Sequence, residues 1–505
     1  MSVGKYAKTS MWVTIILVIG YVLSFIKEAV IANYYGVSSS VDAYTIALTI
    51  PVTLFALISV AIQSVVIPLY SNLLYNSTKE EADKYVSNLI TFVSFFSLVI
   101  ILLCELLANP LSMAFAPGFD DDTHALTTTL LRITLPTIFF SLIDKILIGI
   151  LNVHKRFVAP SFSVYLLNIG LILTILLLHA QFGIIAACIG QVIGSILQVV
   201  FLFFISRNLY HYSPIFSMRD ENLKKSLKQS LPIMWSIGIA EICAIINRIV
   251  ASFLFVGSIS ALGYASKING ILLTFFTAAI STIVYPLYAE SIAKNNIKQL
   301  NSRINFTLSI YSLFLIPLML GLLYYRQEIV KLVFGRGAFD ENAVQVTQSL
   351  LGCYCVGLLF MAFRETLTKV FYSLQDSKTP ATNATIGVLI NIFLNLSLPF
   401  IFGVEGLAIA TSITAVIISI SLLKQLTTKY NEISLSQFWS NIKSILYSAI
   451  IMLMLILIID YFLKDLLPIV RMTIGMIIGI IAYMLFLYLF KTPVWKDVKS
   501  IIFKK

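Results

Sequence analysis

The sequence predicts an all-α polytopic membrane protein. About fourteen transmembrane helices are expected, in two six-helix lobes related by a parallel internal repeat, plus a C-terminal helix pair. Three observations carry this. Of 505 residues, 59% are hydrophobic and only 12% charged, against about 25% charged in soluble domains. Apolar runs of about 20 residues, each able to cross a hydrocarbon core of roughly 30 Å, recur from end to end. Landmarks of the first half also return in order in the second.

The mean hydropathy of +0.93 fits lipid as solvent. No polar stretch is long enough for a separate soluble domain, so backbone groups must be satisfied within each helix. The first apolar run, from Met11 to about Tyr35, is long and lacks a small-residue cleavage site, so it reads as a retained span. The fourteen spans begin near 10, 42, 84, 124, 159, 183, 225, 258, 303, 342, 380, 404, 439 and 468.

Alternate loops differ in charge. One set carries Lys79 and Lys84; Lys155 and Arg156; Arg207, Arg219, Lys224, Lys225 and Lys228; Lys294, Lys298 and Arg303; Lys378; and Lys424, Lys429 and Lys443. Both ends of the chain belong to it, through Lys5 and Lys8 and through Lys491, Lys496, Lys499, Lys504 and Lys505. The other set is nearly free of cations, apart from Arg326, Lys331, Arg336 and Lys464. It includes the Asp120-Asp121-Asp122 turn, expected to cap the helix beginning near Thr123, where acids suit the N-terminal dipole. The positive-inside rule then places both termini in the cytoplasm, as an even span count requires. It also accounts for the net charge of +11 without a nucleic-acid partner. Cys104, Cys188, Cys243, Cys353 and Cys355 all lie in apolar runs and read as core packing.

The repeat has three landmarks. Pro68-Leu69-Tyr70 returns as Pro286-Leu287-Tyr288. Ala116-Pro117-Gly118-Phe119, followed by acids, returns as Gly335-Arg336-Gly337-Ala338-Phe339 before Asp340 and Glu341. Lys155-Arg156 before Pro160 returns as Asp376 and Lys378 before Pro380. The offsets are 218, 220 and 220 residues. A six-span unit keeps its orientation, so the copies should be related by an axis along the membrane normal, with substrate between lobes near the midplane. The expected divisions are 1–215 (spans 1–6), 216–430 (spans 7–12), and 431–505 (spans 13–14 with a basic tail).

Charges inside spans are costly and mark water-filled paths or ion pairs. Lys27 and Glu28 lie deep in span 1, and Asp42 opens span 2. Asp144 and Lys145 lie in span 4, Glu241 and Arg248 in span 7, Lys267 in span 8, and Arg364, Glu365 and Lys369 in span 10. A pyrophosphate needs several donors at once, which Lys and Arg supply. Candidate substrate-binding residues are therefore Lys27, Glu28, Asp42, Lys267, Arg248, Glu241 and Arg364. Local ion pairing is the alternative for each. Asn247, Asn391 and Asn395 form a candidate cation site, since side-chain carbonyls can ligate sodium. Hydrogen bonding between helices is the competing explanation.

The four histidines are isolated, and no Walker A loop, His-Glu-x-x-His or nucleophile elbow is present. The chain is not expected to be an enzyme or to bind a cofactor. Sodium or proton coupling, the membrane potential or the substrate gradient must supply the energy.

Phe25-Ile26-Lys27-Glu28-Ala29, Tyr35-Gly36 and Val41-Asp42-Ala43-Tyr44 resemble the first two spans of the MurJ (MviN) lipid II flippase family. That family belongs to the multidrug/oligosaccharidyl-lipid/polysaccharide (MOP) exporter superfamily. Ala116-Pro117-Gly118-Phe119, Leu131-Arg132-Ile133-Thr134 and Ile150-Leu151-Asn152 before Arg156-Phe157 are similar too. So are Tyr264-Ala265-Ser266-Lys267, Gly337-Ala338-Phe339, Phe371-Tyr372-Ser373, Gln375-Asp376 and Lys378-Thr379-Pro380. The likeness runs from about residue 10 to 430.

The resemblance implies two lobes around a cationic cavity. It implies alternating access that carries an undecaprenyl-pyrophosphate-linked saccharide, lipid II first, from the inner to the outer leaflet of a bacterial cytoplasmic membrane. Spans 13 and 14 would hold the lipid tail. The family's span 1 arginine–acid pair falls on Lys27 and Glu28, its span 2 acid on Asp42, and its span 8 arginine on Lys267. Another span 1 arginine falls at Tyr21, and the span 2 arginine pair at about Phe55 and Ala56. Arg248 and Arg364 are the candidate replacements. Asn247 and Asn395 stand where some members use acids for sodium. These departures suit a divergent member. A flippase for a capsule, exopolysaccharide or O-antigen repeat unit is the alternative. A cation-coupled drug antiporter, a membrane enzyme and a non-transporting assembly partner fit less well. Membrane lipid and cell-wall synthesis proteins are the other expected partners.

Overall fold

The computed structural model describes residues 3–62, 67–490, 492, 493 and 495. Of the terminal cations counted above, Lys491, Lys496, Lys499, Lys504 and Lys505 lie outside them. Nineteen helices and no strand are found among the described residues. They form two compact units, 1–260 with 336–339, and 261–335 with 340–505.

The first unit holds α1 (Val3–Tyr35), α2 (Ser39–Ala61), α3 (Ile67–Asn76), α4 (Lys79–Leu106), α5 (Ala108–Phe115), α6 (Asp121–Thr134), α7 (Thr137–Val153), α8 (Val158–Phe182), α9 (Ile185–Ser206) and α10 (Glu221–Ser252). The second holds nearly all of α11 (Ser258–Ala293), with α12 (Ile297–Tyr324), α13 (Arg326–Phe334), α14 (Glu341–Ser373), α15 (Lys378–Ser397), α16 (Pro399–Phe402), α17 (Glu405–Lys429), α18 (Ser436–Phe462) and α19 (Pro468–Leu489).

Thirteen helical stretches among the described residues are long and apolar enough to cross a membrane, with α6 joined to α7 and α15 to α16. The remaining expected span, near 225, is the 32-residue α10. Helix starts follow capping chemistry. Thr78 takes the Glu81 N–H, Asp220 the Leu223 N–H and Asp340 the Ala343 N–H. Asp120 stands at the N-cap of α6 with Asp121 and Asp122 in the first turn.

Within the first unit, α8 and α9 pack tightly because glycine sits at their crossing. A Cβ on Gly194 would lie 2.6 Å from the Leu167 carbonyl oxygen. Such small-residue seams allow backbones to approach closely in lipid. The Tyr35 hydroxyl reaches from α1 to the Gly183 carbonyl (2.8 Å), and the Tyr165 hydroxyl from α8 to that of Ile16. The connection between the repeats is an extended strap along α4. Asp83 accepts the His211 N–H (3.0 Å), Ser87 that of Ser213 (3.2 Å), and Asn88 that of Ser217 (2.8 Å). Their spacing puts Asp83 and Ser87 one above the other on one helical face, with Asn88 on the adjoining side.

In the second unit α14 is central, with Phe363, Leu367 and Phe371 buried against side chains of α12, α17 and α18. The α18–α19 pair packs on α12, and the Tyr483 hydroxyl donates to the Leu313 carbonyl (2.7 Å).

The repeat is visible in the backbone. Lys155 (φ 60°) and Gln375 (φ 59°) are left-handed at the same place in each copy, as are Gly183 (φ 54°) and Gly403 (φ 59°). Each of the first two closes its helix with the same six-to-one hydrogen bond, Arg156 N–H to Leu151 and Asp376 N–H to Phe371.

Candidate functional site

Lys27 and Glu28 lie on α1 and form an ion pair of 2.9 Å, with side chains 18% and 14% exposed. Adjacent helical residues project about 100° apart, so the pair closes by bending two long side chains together. It leaves a cation inside a membrane span with one acidic neighbour to stabilise it.

Asp42, in the first turn of α2, is 2% exposed. Its Oδ2 accepts the Gly257 N–H and its Oδ1 the Ser260 N–H, both at 2.7 Å. These donors start α11, so a carboxylate from one helix caps another. The cap satisfies amides that a helix start otherwise leaves unpaired and meets the positive end of the dipole. Both oxygens are taken by backbone, which gives Asp42 a positioning role.

Two loops dock beside it in a pattern that follows the repeat. Gly118 donates its N–H to Ser252 Oγ at the end of α10 (3.1 Å). Ala338 donates its N–H to the Asn33 carbonyl near the end of α1 (2.8 Å). Glycine is required at both places: a Cβ on Gly118 would lie 2.5 Å from the Ser252 oxygen, and one on Gly337 (φ 58°) 2.2 Å from that of Asn33. A cavity of about 280 Å³ opens here, lined among others by Ser39, Asp42, Phe119, Asp120, Ser252 and Val256.

Glu241, Asn247 and Arg248 lie on α10. Glu241 accepts a hydrogen bond from Thr53 of α2 (3.4 Å). Arg248 stands seven residues on, about 10 Å of helix rise, with Glu241 as the opposite charge acting on it. The Asn247 Oδ1 is buried without a hydrogen-bond partner among the described residues.

In the second unit, Lys267 is exposed on α11 and Arg364 on α14. Glu365 pairs with Lys369 one turn later (2.9 Å). Asn395 donates to Asn391 Oδ1 (2.9 Å), and Asn391 donates to Thr414 of α17 (3.3 Å). Both asparagines are thus joined into a chain between α15 and α17, with one atom, Asn395 Oδ1, left unpartnered among the described residues. No cluster of three or more His, Cys, Asp or Glu residues suited to a metal occurs among the described residues.

The first unit therefore brings Lys27 to Glu28, and Asp42 to the start of α11. It puts Glu241 on Thr53, a residue that no charge or motif singles out. The backbone amides of Gly257 and Ser260 were equally invisible to a reading of side chains.

The family model described as lipid II flippase MurJ matches residues 31–479. A probable lipid II flippase MurJ of Rickettsia prowazekii is 30% identical over 421 residues, 82% of each chain. The lipid II flippase MurJ of Thermosipho africanus is 29% identical over 397 residues, covering 78% of this chain and 80% of its own. A solved structure of lipid II flippase MurJ in an inward closed conformation superposes with a TM-score of 0.83 at 28% identity, over 97% of this chain and 99% of that one. An inward-facing multidrug resistance MATE family transporter of the MOP superfamily shares the fold, with a TM-score of 0.68 at 15% identity over 82% of this chain and 95% of that one.

Proposed function

The chain belongs to the lipid II flippase MurJ family, and on that premise we propose that it moves lipid II from the inner to the outer leaflet of the bacterial cytoplasmic membrane. The carrying observation in the structure is Lys27, a cation held by Glu28 inside a membrane span. A pyrophosphate headgroup drawn into a low-dielectric path needs such fixed cations, which cost less there once the anion neutralises them. Arg248 in the first unit, and Lys267 and Arg364 in the second, are the further cations for the phosphates or the sugar. Asp42, by capping α11, and Glu241, by bonding Thr53 of α2, position helices of the first unit.

The protein works as a transporter rather than an enzyme, with both termini in the cytoplasm, as the loop charges favour. The α18–α19 pair offers its apolar faces to the polyprenyl tail. Cell-wall synthesis proteins that supply or consume lipid II are its natural partners.

The test is complementation of a bacterial strain depleted of its lipid II flippase, with lipid II accessibility assayed at the outer leaflet. Rescue supports the proposal. Failure despite good membrane expression overturns lipid II as substrate and directs the assay to surface-polysaccharide repeat units.

A further inference from the structure

We propose that Asp144, on α7, is a proton-binding site within span 4, gated by Lys145. The two form an ion pair of 3.1 Å, with side chains 5% and 24% exposed. It resembles Lys27–Glu28 in sequence spacing but differs in solvation. Glu28 keeps 14% of its side chain exposed. Asp144 Oδ1, by contrast, is buried without a hydrogen-bond partner among the described residues. Gln198 of α9 gives one N–H to Ser163 Oγ of α8 (3.3 Å), and its amide also acts on the Asp144 carboxylate. A carboxylate buried this way stays charged only while its cation stays on it.

The cation has somewhere else to go. Lys145 Nζ already lies 5.7 Å from the centroid of the Phe55 ring on α2. An aromatic face stabilises an ammonium without neutralising it. When Lys145 swings off the carboxylate toward the ring or an anionic ligand, Asp144 is left uncompensated. A hydronium ion from the aqueous phase then gives its proton to Oδ1, forming the O–H bond and leaving water, and the pair changes from neutral to a net charge of plus one. The span gains a positive charge in the protonated state, the direction that favours an anionic headgroup.

Other charges do not substitute for Lys145. The helices packed on α7 present Phe55 from α2, Ser163 from α8 and Gln198 from α9, all uncharged. Tyr70 of α3, Lys79 and Asp83 of α4, and Arg156 act at the far end of α7, on His154. Ten residues, about 15 Å of helix, separate that group from Asp144. Among the described residues Lys145 is the cation paired with the carboxyl, and Gln198 is the uncharged group beside it.

The binding site stands on this geometry alone. Its use as a coupling site rests on the flippase reading. The experiment is the pH-dependent infrared spectrum of the full chain in lipid nanodiscs. Lys145→Met should show a protonated-carboxyl C=O band at neutral pH that is missing from the Asp144→Asn/Lys145→Met double variant. Wild type should develop the same band only on acidification. If Lys145→Met does not fold, wild type against Asp144→Asn decides the matter. Spectra that superpose in the carboxyl region at every pH, with and without Asp144, overturn the site. Coupling is tested separately. An imposed pH gradient should change wild-type outer-leaflet lipid II accessibility several-fold and leave Asp144→Asn unmoved; equal responses overturn coupling. Failure of complementation would remove the substrate and leave the infrared result standing.

Discussion

Asp42 and Ser260 are 218 residues apart, yet the Asp42 Oδ1 accepts the Ser260 backbone N–H at 2.7 Å. The carboxylate's other oxygen takes the Gly257 N–H at the same distance. Hydrogen bonds to a charged acceptor contribute about 1.5–3 kcal/mol each. Asp42→Ala removes both and leaves two buried amides, so a loss of about 3 kcal/mol is expected. Asp42→Asn keeps one acceptor oxygen but turns an NH₂ toward the other amide, and should lose about half as much. Thermal unfolding of the solubilised chain orders wild type, Asn and Ala. An Ala variant as stable as wild type would show that the cap carries no weight.

The docked loops make a sharper steric case. Gly337→Ala places a Cβ against the Asn33 oxygen at a left-handed backbone position, so a loss of more than about 2 kcal/mol is expected. Gly118→Ala meets Ser252 backbone and should behave similarly. Gly263, in α11, has open space where its Cβ would stand, so Gly263→Ala should stabilise by about 0.5–1 kcal/mol. Equal unfolding temperatures for the three variants would refute the packing argument.

Lys27→Glu puts two acids side by side within span 1. Transport should vanish while protein remains in the membrane. Lys27→Arg keeps the charge and should retain most of it. Outer-leaflet accessibility of lipid II, normalised to membrane protein, gives the readout. Full activity in Lys27→Glu removes the cation from the mechanism.

The α18–α19 pair is tied to the rest of its unit by Arg471. Its Nη2 lies 3.1 Å from Glu328 of α13 and its Nε 3.0 Å from Asp460 of α18. The Tyr324 hydroxyl donates to the other Asp460 oxygen (2.8 Å). Arg471→Met leaves two acids without their cation and should destabilise by about 2 kcal/mol. Faster proteolysis of the turn at 463–467 should accompany the loss. An unchanged cleavage rate would mean that apolar packing alone holds the pair.

Asp376, between α14 and α15, is outside the spans. Hydrogen bonds from the Thr379 side chain and backbone, then Lys429, hold its carboxyl down to about 2 from the ordinary 3.8. A group whose folded-state value is lowered stabilises the fold above its unfolded value and loses that contribution as pH falls through the folded one. The contribution should therefore fade between about pH 4 and 2. Asp376→Asn should flatten that limb of the unfolding-temperature profile. A limb of unchanged slope would assign it to other carboxylates.

Much of the architecture was legible because lipid leaves few solutions. Every expected span start falls within several residues of a helix start, since an apolar run must be helical to satisfy its own backbone. The repeat was legible because two of its three landmarks fall at turns, where Lys155 and Gln375 both close a helix left-handed. The site was legible only as a set of charged residues in the wrong solvent. Asn391 and Asn395 are legible as a pair one helical turn apart. Only the position of Thr414 shows the hydrogen bond that joins them to α17.

The sequence by itself determined the solvent, the number and order of the spans, the duplication and the family, because hydropathy, turn chemistry and motif order are local properties. Tertiary structure alone decided which atoms three of the intramembrane charges meet, because those contacts are set by the fold rather than by sequence order. Asp42 meets two backbone amides, Lys27 meets Glu28, and Asp144 meets Lys145 through Oδ2 while its Oδ1 has no hydrogen-bond partner among the described residues. In a low dielectric those differences separate a cap, a held cation and a carboxyl poised to take a proton.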